Sequence, residues 1–219
     1  NIQQVRDKQL QSLWDYDTSV YSLYVWGAND KGQLGLNEAT GTAKNSPVQV
    51  PGSWSKIAGS HPQSKHLLAI KSDGTLWSWG ENEKGQLGLG NKTYYSSPVQ
   101  IPGTNWRFAP VVGEKQMAAT KTDGTLWTWG DNEHGQLGHN EGSNKHKSSP
   151  TQIPGTWSDN ITGSEANTML AVNSDGELFG WGKSVEGQAG TNTTASRSSP
   201  VQIPGTTWST TAEKAWVSD

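Results

Sequence analysis

The sequence predicts an all-β protein built from four similar units of about 50 residues each. The main observation is a ten-residue box, WGENEKGQLG in its clearest form, whose copies begin 50 to 53 residues apart. Two further phrases keep the same period: one of the type SDGTLW precedes three of the boxes, and one of the type SPVQIPG follows all four. Three phrases in one order at one period indicate a repeat architecture. The boxes begin at Trp26, Trp79, Trp129 and Trp181.

The second repeat shows how each unit divides into strands. Short runs of alternating or continuous apolar residues are typical of strands, and Asp73-Gly74 between two such runs is a strong signal for a tight hairpin. The glycine-rich box then separates the third run from a fourth. The predicted strands are residues 54–58, 66–71, 75–79 and 98–101. Four short antiparallel strands per repeat correspond to one blade of a β-propeller.

Composition agrees with small sheets joined by tight turns. Only 31% of the 219 residues are apolar, yet there are 12 Trp and 26 Gly. The net charge of −3 comes without a basic run, which argues against a nucleic-acid partner. The absence of cysteine excludes disulfides and cysteine zinc sites. No apolar run has the length of a membrane span, so we predict no membrane insertion.

The chain divides into a lead-in and a repeat domain. Residues 1–19 contain Val5, Leu10 and Leu13 at roughly helical spacing, and we expect a short helix or an ordered lead-in there. Residues 20–219 contain all four repeats and form the predicted propeller domain.

The repeated tryptophans and glycines are predicted to be structural. Side chains alternate along a strand, so Trp77 and Trp79 share one face, where their rings fill the wedge between neighbouring blades. The box glycines allow sharp turns, and the box glutamine, Gln86 in the second repeat, is expected to hydrogen-bond loop backbone through its amide. The residues assigned a structural role are Trp26, Gly27, Trp77, Trp79, Gly80, Trp127, Trp129, Gly130, Trp181 and Gly182.

Taken together, the three phrases resemble the RCC1 repeat, named for the regulator of chromosome condensation. The resemblance covers roughly residues 20–208. It implies RCC1-type β-propeller blades, and members of that family usually close their ring with seven. This chain holds four repeats, and the fourth departs from the pattern with Phe179 in place of Trp and Ala189 in place of Leu.

Both ends of the chain fall inside a repeat. Residues 23–26 and 48–50 correspond to the second half of a blade, and residues 208–212 correspond to a first strand. Pairing the two ends would complete a fourth blade, but four wedges shaped for a seven-bladed ring leave that ring open. We therefore favour an incomplete ring that a partner covers, or a part of a longer seven-bladed chain, over a small four-bladed ring.

The family's functional residues do not carry over. Nucleotide exchange in this family implies a projecting β-wedge and an acidic loop residue, and neither can be placed in this sequence. The family's light-sensing motif, Gly-Trp-Arg-His-Thr, is absent. A Gly-x-x-His pattern of the family survives only loosely at His66, where we align Met117 and Asn167 from the next two repeats.

No catalytic, cofactor-binding or metal-binding residue is predicted. Residues 131–135 superficially resemble a calcium loop but lack the EF-hand spacing and its terminal Glu. The five histidines show no metal-ligand spacing, and no Ser-His-Asp order stands out.

The segments between GQLG and SPxQ vary most between repeats, and binding specificity usually resides in such loops. Tyr94 and Tyr95 are adjacent tyrosines that we expect to form a contact platform. Lys145, His146 and Lys147 add a positive spot in the next repeat.

These observations favour a non-enzymatic binding or scaffold module that contacts a protein partner or a neighbouring subunit. The uniform repeats resemble RCC1-type proteins of bacteria and their viruses, which suggests a structural or appendage role on a virus particle or bacterial surface; the localisation is otherwise undetermined. Two alternatives stay open: a lectin-like module that binds a glycan through Tyr94 and Tyr95, and an RCC1-type guanine-nucleotide exchange factor.

Overall fold

A computed structural model shows antiparallel β-sheets throughout residues 21–58, 64–108, 113–163, 167–205 and 208–210, the residues that the structure describes. None of these segments is a helix that could cross a bilayer. The helix expected within residues 1–19 lies outside the described residues. The strands are β1 (Tyr21–Gly27), β2 (Lys44–Ala58), β3 (His66–Lys71), β4 (Leu76–Gly80), β5 (Tyr95–Gln100), β6 (Trp106–Phe108), β7 (Gln116–Lys121), β8 (Leu126–Gly130), β9 (Lys147–Ile153), β10 (Trp157–Gly163), β11 (Thr168–Asn173), β12 (Leu178–Gly182) and β13 (Arg197–Gln202).

The described strands form three sheets, in the orders β1-β2-β3-β4-β5, β6-β7-β8-β9 and β10-β11-β12-β13. The first sheet has a fifth strand because β2 is long and serves two blades. Its beginning pairs with β1, as in Val25↔Val48, and its end pairs with β3, as in Ile57↔Ala69. The chain therefore contains a half-blade (β1 and the start of β2) followed by three full blades, which we call blades 1, 2 and 3.

The strand assignments made from the sequence are confirmed, with small shifts of the boundaries. The predicted run 66–71 is β3, and the Asp73-Gly74 hairpin joins β3 to β4 with Gly74 at φ +75°. The predicted fourth strand, residues 98–101, begins earlier, at Tyr95. It does so because Tyr95 pairs with Gly80 beyond an irregularity in the ladder.

The C-terminal strand predicted at residues 208–212 is not formed in its described part, residues 208–210. Trp208 nevertheless repeats a contact that opens the full blades: its N–H donates to the Gly176 carbonyl, as the N–H of Trp157 donates to the Gly124 carbonyl. No strand pairing among the described residues joins this end to β1. The arc of blades is therefore open in the described part of the chain.

Most of the hydrophobic core lies between blades; among the described residues, a smaller cluster of Leu170, Val172 and Leu178 lies within blade 3. The cluster between blades 1 and 2 combines apolar residues of β3, β4 and the segment after β5 with residues of β6, β7 and β8. Equivalent clusters join the half-blade to blade 1 and blade 2 to blade 3. The members of the cluster between blades 1 and 2 are Leu68, Ile70, Leu76, Ile101, Trp106, Met117, Ala119 and Trp129.

At each junction, the indole of one tryptophan hydrogen-bonds to the backbone of the preceding blade. The indole N–H of Trp129 donates to the backbone carbonyl of Gln86 in the preceding blade, at 2.9 Å. The same bond joins Trp181 to Gln136 at 2.9 Å, and Trp79 to the half-blade carbonyl of Gln33 at 2.9 Å. The rings of Trp79, Trp129 and Trp181 are fully buried, as predicted.

Trp26 does not share this environment, so its predicted role in the packed core is wrong for the described structure. Its side chain is 64% exposed, whereas Trp79, Trp129 and Trp181 are 0% exposed. The reason is that no blade precedes β1 in the part of the chain that the structure describes, so its ring meets neither a covering sheet nor a glutamine carbonyl. Tyr24, on the same face of β1, is 50% exposed.

The box holds its own shape through two polar side chains. In blade 1 the Gln86 amide oxygen accepts the N–H of Lys84 at 2.9 Å, and the Asn82 amide oxygen accepts the N–H of Leu87 at 3.0 Å. The glutamine bond recurs at Gln33, Gln136 and Gln188. The expectation that these amides satisfy loop backbone is therefore confirmed.

Gly88→Ala tests the junction. Gly88 has φ +71°, and a Cβ atom there would lie 2.9 Å from the indole Nε1 of Trp129. We expect a loss of about 2–3 kcal/mol in the free energy of unfolding, measured by urea denaturation, from left-handed backbone strain and displacement of the ring. Gly187→Ala is the matched control, because Gly187 also has a left-handed backbone, with φ +82°, but a Cβ atom there meets nothing within 4 Å. Equal losses for the two variants would contradict the proposed role of the junction.

Candidate functional site

The variable loops of blades 1 and 2 form one polar surface, which we call the loop surface and define by Glu83, Lys84, Tyr94, Glu133 and His146. Glu83 and Lys84 follow each other in the box of blade 1 and connect the two loops. The Tyr94 hydroxyl donates to the Glu83 carboxylate at 2.7 Å, and the Lys84 ammonium lies 3.5 Å from His146 Nε2. Two regions that the sequence singled out separately therefore meet across a blade junction.

Tyr94 and Tyr95 do not present one shared platform. The Tyr94 ring is half-buried, with the Lys31 ammonium 5.4 Å from its centroid. Burial, together with the hydrogen bond to Glu83, raises the pKa of Tyr94 to about 12. The Tyr95 hydroxyl instead accepts a hydrogen bond from the Asn91 amide at 3.2 Å, and its backbone pairs with Gly80. Adjacent tyrosines at a strand entrance contact different groups because side chains alternate.

The predicted positive spot is largely neutralised. The Lys147 ammonium lies 2.7 Å from the Glu141 carboxylate. His146 Nδ1 accepts the N–H of Asn132 at 3.0 Å and also lies 3.0 Å from Asp131 Oδ1. Burial lowers the pKa of His146, with Asp131 opposing that effect. Of these three residues, only Lys145 is exposed; His146 and Lys147 are half-buried.

His146 belongs to a group that sequence spacing missed. Candidate ligand atoms of Asp131, Glu133 and His146 lie within 4.8 Å of one another, on two separate parts of the repeat. The Lys84 ammonium of the neighbouring blade lies 2.6 Å from Glu133 Oε1 and 3.8 Å from Asp131 Oδ1. Its hydrogen bond with Glu133 raises the pKa of Lys84, whereas burial raises the pKa of Asp131. A lysine from blade 1 thus supplies the positive charge for the acidic groups of blade 2.

Further ion pairs cross the junctions on this side of the blades. Lys65 pairs with Asp30 of the half-blade at 2.7 Å, and Lys115 pairs with Glu83 of blade 1 at 3.4 Å. The hydrogen bond from Lys65 lowers the pKa of Asp30 to about 2. Because these pairs are at least partly exposed, they align neighbouring loops and add little to stability.

His66 lies beneath this surface, buried between blades 1 and 2. Its Nε2 is 3.3 Å from the Met117 sulfur, and its Nδ1 has no hydrogen-bond partner among the described residues. Burial, with a smaller effect from Lys115, lowers the pKa of His66 to about 4. Strand register corrects the alignment made from sequence: His66 pairs with Gly80, Gln116 with Gly130 and Thr168 with Gly182. The equivalents of His66 are therefore Gln116 and Thr168, because the loops before these strands differ in length.

The architecture defines a class of protein: a repeat β-propeller whose blades are joined by a buried tryptophan and whose variable loops form a polar surface. Within that class, the chain belongs to the RCC1 family. Residues 22–62, 73–113, 123–165 and 175–212 each match the regulator of chromosome condensation (RCC1) repeat. Each match starts near the hairpin of one blade and runs into the next, so the sequence repeat and the structural blade are out of phase.

Known relatives agree with this assignment. The ultraviolet-B receptor UVR8 of Arabidopsis thaliana is 32% identical over 184 residues, which cover 81% of this chain and 41% of the receptor. The E3 ubiquitin-protein ligase HERC2 of Homo sapiens is 28% identical over 191 residues, which cover 86% of this chain and 4% of the ligase. The chain therefore spans less than half the length of either relative.

Solved structures show the same fold. Human WBSCR16 superposes with a TM-score of 0.68 at 24% identity, over 84% of this chain and 48% of that protein. Yeast RCC1 (Prp20), in its complex with Kap60, superposes with a TM-score of 0.67 at 20% identity, over 83% of this chain and 45% of that protein.

His66→Gln is expected to weaken the acid sensitivity of folding. The pKa of His66 falls from its ordinary value of 6.5 to about 4 in the folded chain. The unfolded state therefore binds more protons between these values, and stability is lost as the pH falls from 6.5 towards 4. At pH 4.5 that loss is on the order of 2–3 kcal/mol. Glutamine already occupies the equivalent position in blade 2 and does not titrate.

The measurement is urea unfolding of both proteins at several values between pH 7 and pH 4.5. The free energy of unfolding of His66→Gln, relative to the unsubstituted protein, should rise as the pH falls. A constant difference between the two proteins across this range would contradict the prediction.

Proposed function

We propose that this chain is a non-enzymatic propeller module that binds a partner protein through its loop surface. The proposal rests on a difference within each repeat between the box residues, which recur, and one loop position, which varies. The recurring box residues form the hydrogen bonds that join blades and shape turns, as Trp129 and Gln86 do. One loop position on the surface differs in every repeat: Ala43, Tyr94, His146 and Ser196. His146 and Ser196 also accept a backbone N–H of their own box. A constant frame with changing surface residues is the usual arrangement for recognition.

Relatives of the same fold support a protein partner. Yeast RCC1 (Prp20) has been solved bound to Kap60, and a second Prp20p structure is described together with its binding to Gsp1p and histones. By analogy, the partner of this chain is a protein that contacts several neighbouring blades. Ligase activity is not part of the proposal, because the shared region is only 4% of HERC2.

A glycan partner is the less favoured proposal. Stacking of a sugar needs an open aromatic face, whereas the Tyr94 ring lies beneath Lys31 and its hydroxyl is bound to Glu83. None of the relatives named above is described as binding glycans. We therefore do not extend the function in that direction.

Site-specific photocrosslinking tests the loop surface. We would place a benzophenone amino acid at Tyr94, at Lys145 and, as a control, at Thr122, an exposed residue on the hairpin of blade 2. In extracts of the source organism, positions 94 and 145 should crosslink to the same protein band, because their loops share one surface. The control position should give no such band. Equal crosslinking at the control position, or none at both loop positions, would overturn the proposal.

A guanine-nucleotide exchange assay separates this function from that of an exchange factor. A small GTPase loaded with fluorescent GDP should release it at its intrinsic rate in the presence of this chain, because the wedge and acidic loop residue expected for exchange are not found in its sequence. Faster release that scales with the concentration of the chain would replace the binding proposal with exchange activity.

A further inference from the structure

Blades 1 and 2 each place a lysine of their own against a pair of aromatic rings. The Lys71 ammonium lies 3.5 Å from the centroid of Trp77 and 5.3 Å from that of Trp54. The Lys121 ammonium lies 4.7 Å from the centroid of Trp127 and 4.6 Å from that of Trp106. Both lysines end the second strand of their blade. This recurring arrangement is a cation–π slot, which favours an ammonium group over the ring faces.

Blade 3 keeps the aromatic pair but has lost the lysine. Trp157 and Phe179 occupy the ring positions, with centroids 5.4 Å apart. The residue paired with Trp157 is Asn173, where Trp106 pairs with Lys121. The Asn173 amide is tied into the hairpin, because its oxygen accepts the N–H of Asp175 at 3.0 Å and of Glu177 at 2.8 Å. The short, tethered side chain leaves the slot without its ammonium.

An open groove of about 710 Å³ is present at this position, between blades 2 and 3. Its lining includes Gly155, Trp157, Asn173, Asp175 and Phe179. Gly155 corresponds to Gly103 in the preceding repeat, where a Cβ atom would lie 3.2 Å from the Lys121 ammonium. The groove in blade 3 therefore includes the place that a lysine occupies in blade 2.

The groove also carries an available negative charge. In blade 2 the hairpin carboxylate of Asp123 accepts hydrogen bonds from the N–H and hydroxyl of Thr125, which lower its pKa, with a smaller contribution from Lys121. In blade 3 Asn173 has taken over that capping role. The Asp175 carboxylate consequently makes no hydrogen bond within the described residues, and it lines the groove.

We propose that the groove between blades 2 and 3 binds a lysine side chain of a partner protein, in the place that Lys71 and Lys121 occupy in the other blades. The aliphatic stem would lie along the half-buried Phe179 ring, beside the edge of the buried Trp157, with the ammonium near Asp175. The groove contains none of the five residues that define the loop surface, although residues 139–141 of the blade 2 loop line it. The test below therefore uses a different probe and a different readout from the crosslinking experiment.

The direct test follows the indole N–H of Trp157, which donates to the Pro154 carbonyl at 3.1 Å, by ¹H–¹⁵N NMR. The probe is a capped pentapeptide with one central lysine and glycines on either side. The matched control peptide carries acetyllysine, which keeps the stem and removes the charge. We expect a saturable shift of the Trp157 indole signal with the lysine peptide, and binding at least about tenfold weaker with the acetylated one.

Two reciprocal variants make the test specific. Asn173→Lys with Glu177→Thr copies the hairpin of blade 1, including its Asp-Thr cap, and should fill the groove with an internal lysine and abolish the shift. Lys121→Asn with Thr125→Glu copies blade 3 into blade 2 and should create a second responsive indole, that of Trp106. Thermal unfolding of both variants checks that they are folded.

Three results would overturn the proposal: no shift of the Trp157 signal with the lysine peptide, an equal shift with the acetyllysine peptide, or an unchanged shift in the folded Asn173→Lys/Glu177→Thr variant.

Discussion

The hydrogen bond from a box tryptophan to a glutamine carbonyl of the preceding blade is the constraint on which the arc depends. Gln86 shows why: its side-chain amide accepts the N–H of Lys84 in its own loop, while its backbone carbonyl accepts the indole N–H of Trp129. The same residue therefore shapes the loop of its own blade and accepts the hydrogen bond that joins the next blade. A buried indole N–H without a partner costs roughly 1–3 kcal/mol, so the loop and the junction form together. The glycines beneath each ring are necessary because any side chain there would displace the indole.

Stability that resides at junctions makes the molecule nearly one-dimensional, since each blade contacts only its neighbours. The same feature explains the exposed aromatic residues. Trp26 is 64% exposed and Trp208 is 42% exposed, although their equivalents inside the arc are buried. Both rings belong to faces that would be covered by another blade or by a partner, which agrees with an open arc. Exposed apolar faces of this kind are typical of association surfaces.

Periodicity predicted the blades, the strands and the buried tryptophans, because these features depend on local spacing that every repeat preserves. Three features escaped it. The true equivalents of His66 depend on strand register, which loops of unequal length conceal. The exposure of Trp26 depends on what lies beside its strand and not on its motif. The contact between Lys84 and Glu133 joins residues 49 positions apart on different blades, a distance at which sequence spacing carries no information about contact.

Because the repeats share one structure, equivalent positions can be compared between blades. A position where one blade differs from the others is a candidate for function. Asn173 is an unremarkable polar residue when the sequence is read alone. Compared with Lys71 and Lys121 in the equivalent positions, Asn173 marks a site where the ammonium is missing while the two aromatic rings remain. The substitution of Thr by Glu177 belongs to the same change, because with Asn173 as the new cap the hairpin no longer needs the hydroxyl that Thr75 and Thr125 supply. Asn173 and Glu177 together hold the turn, through hydrogen bonds between them and to the hairpin backbone, at a position where the other two blades carry a lysine and a threonine.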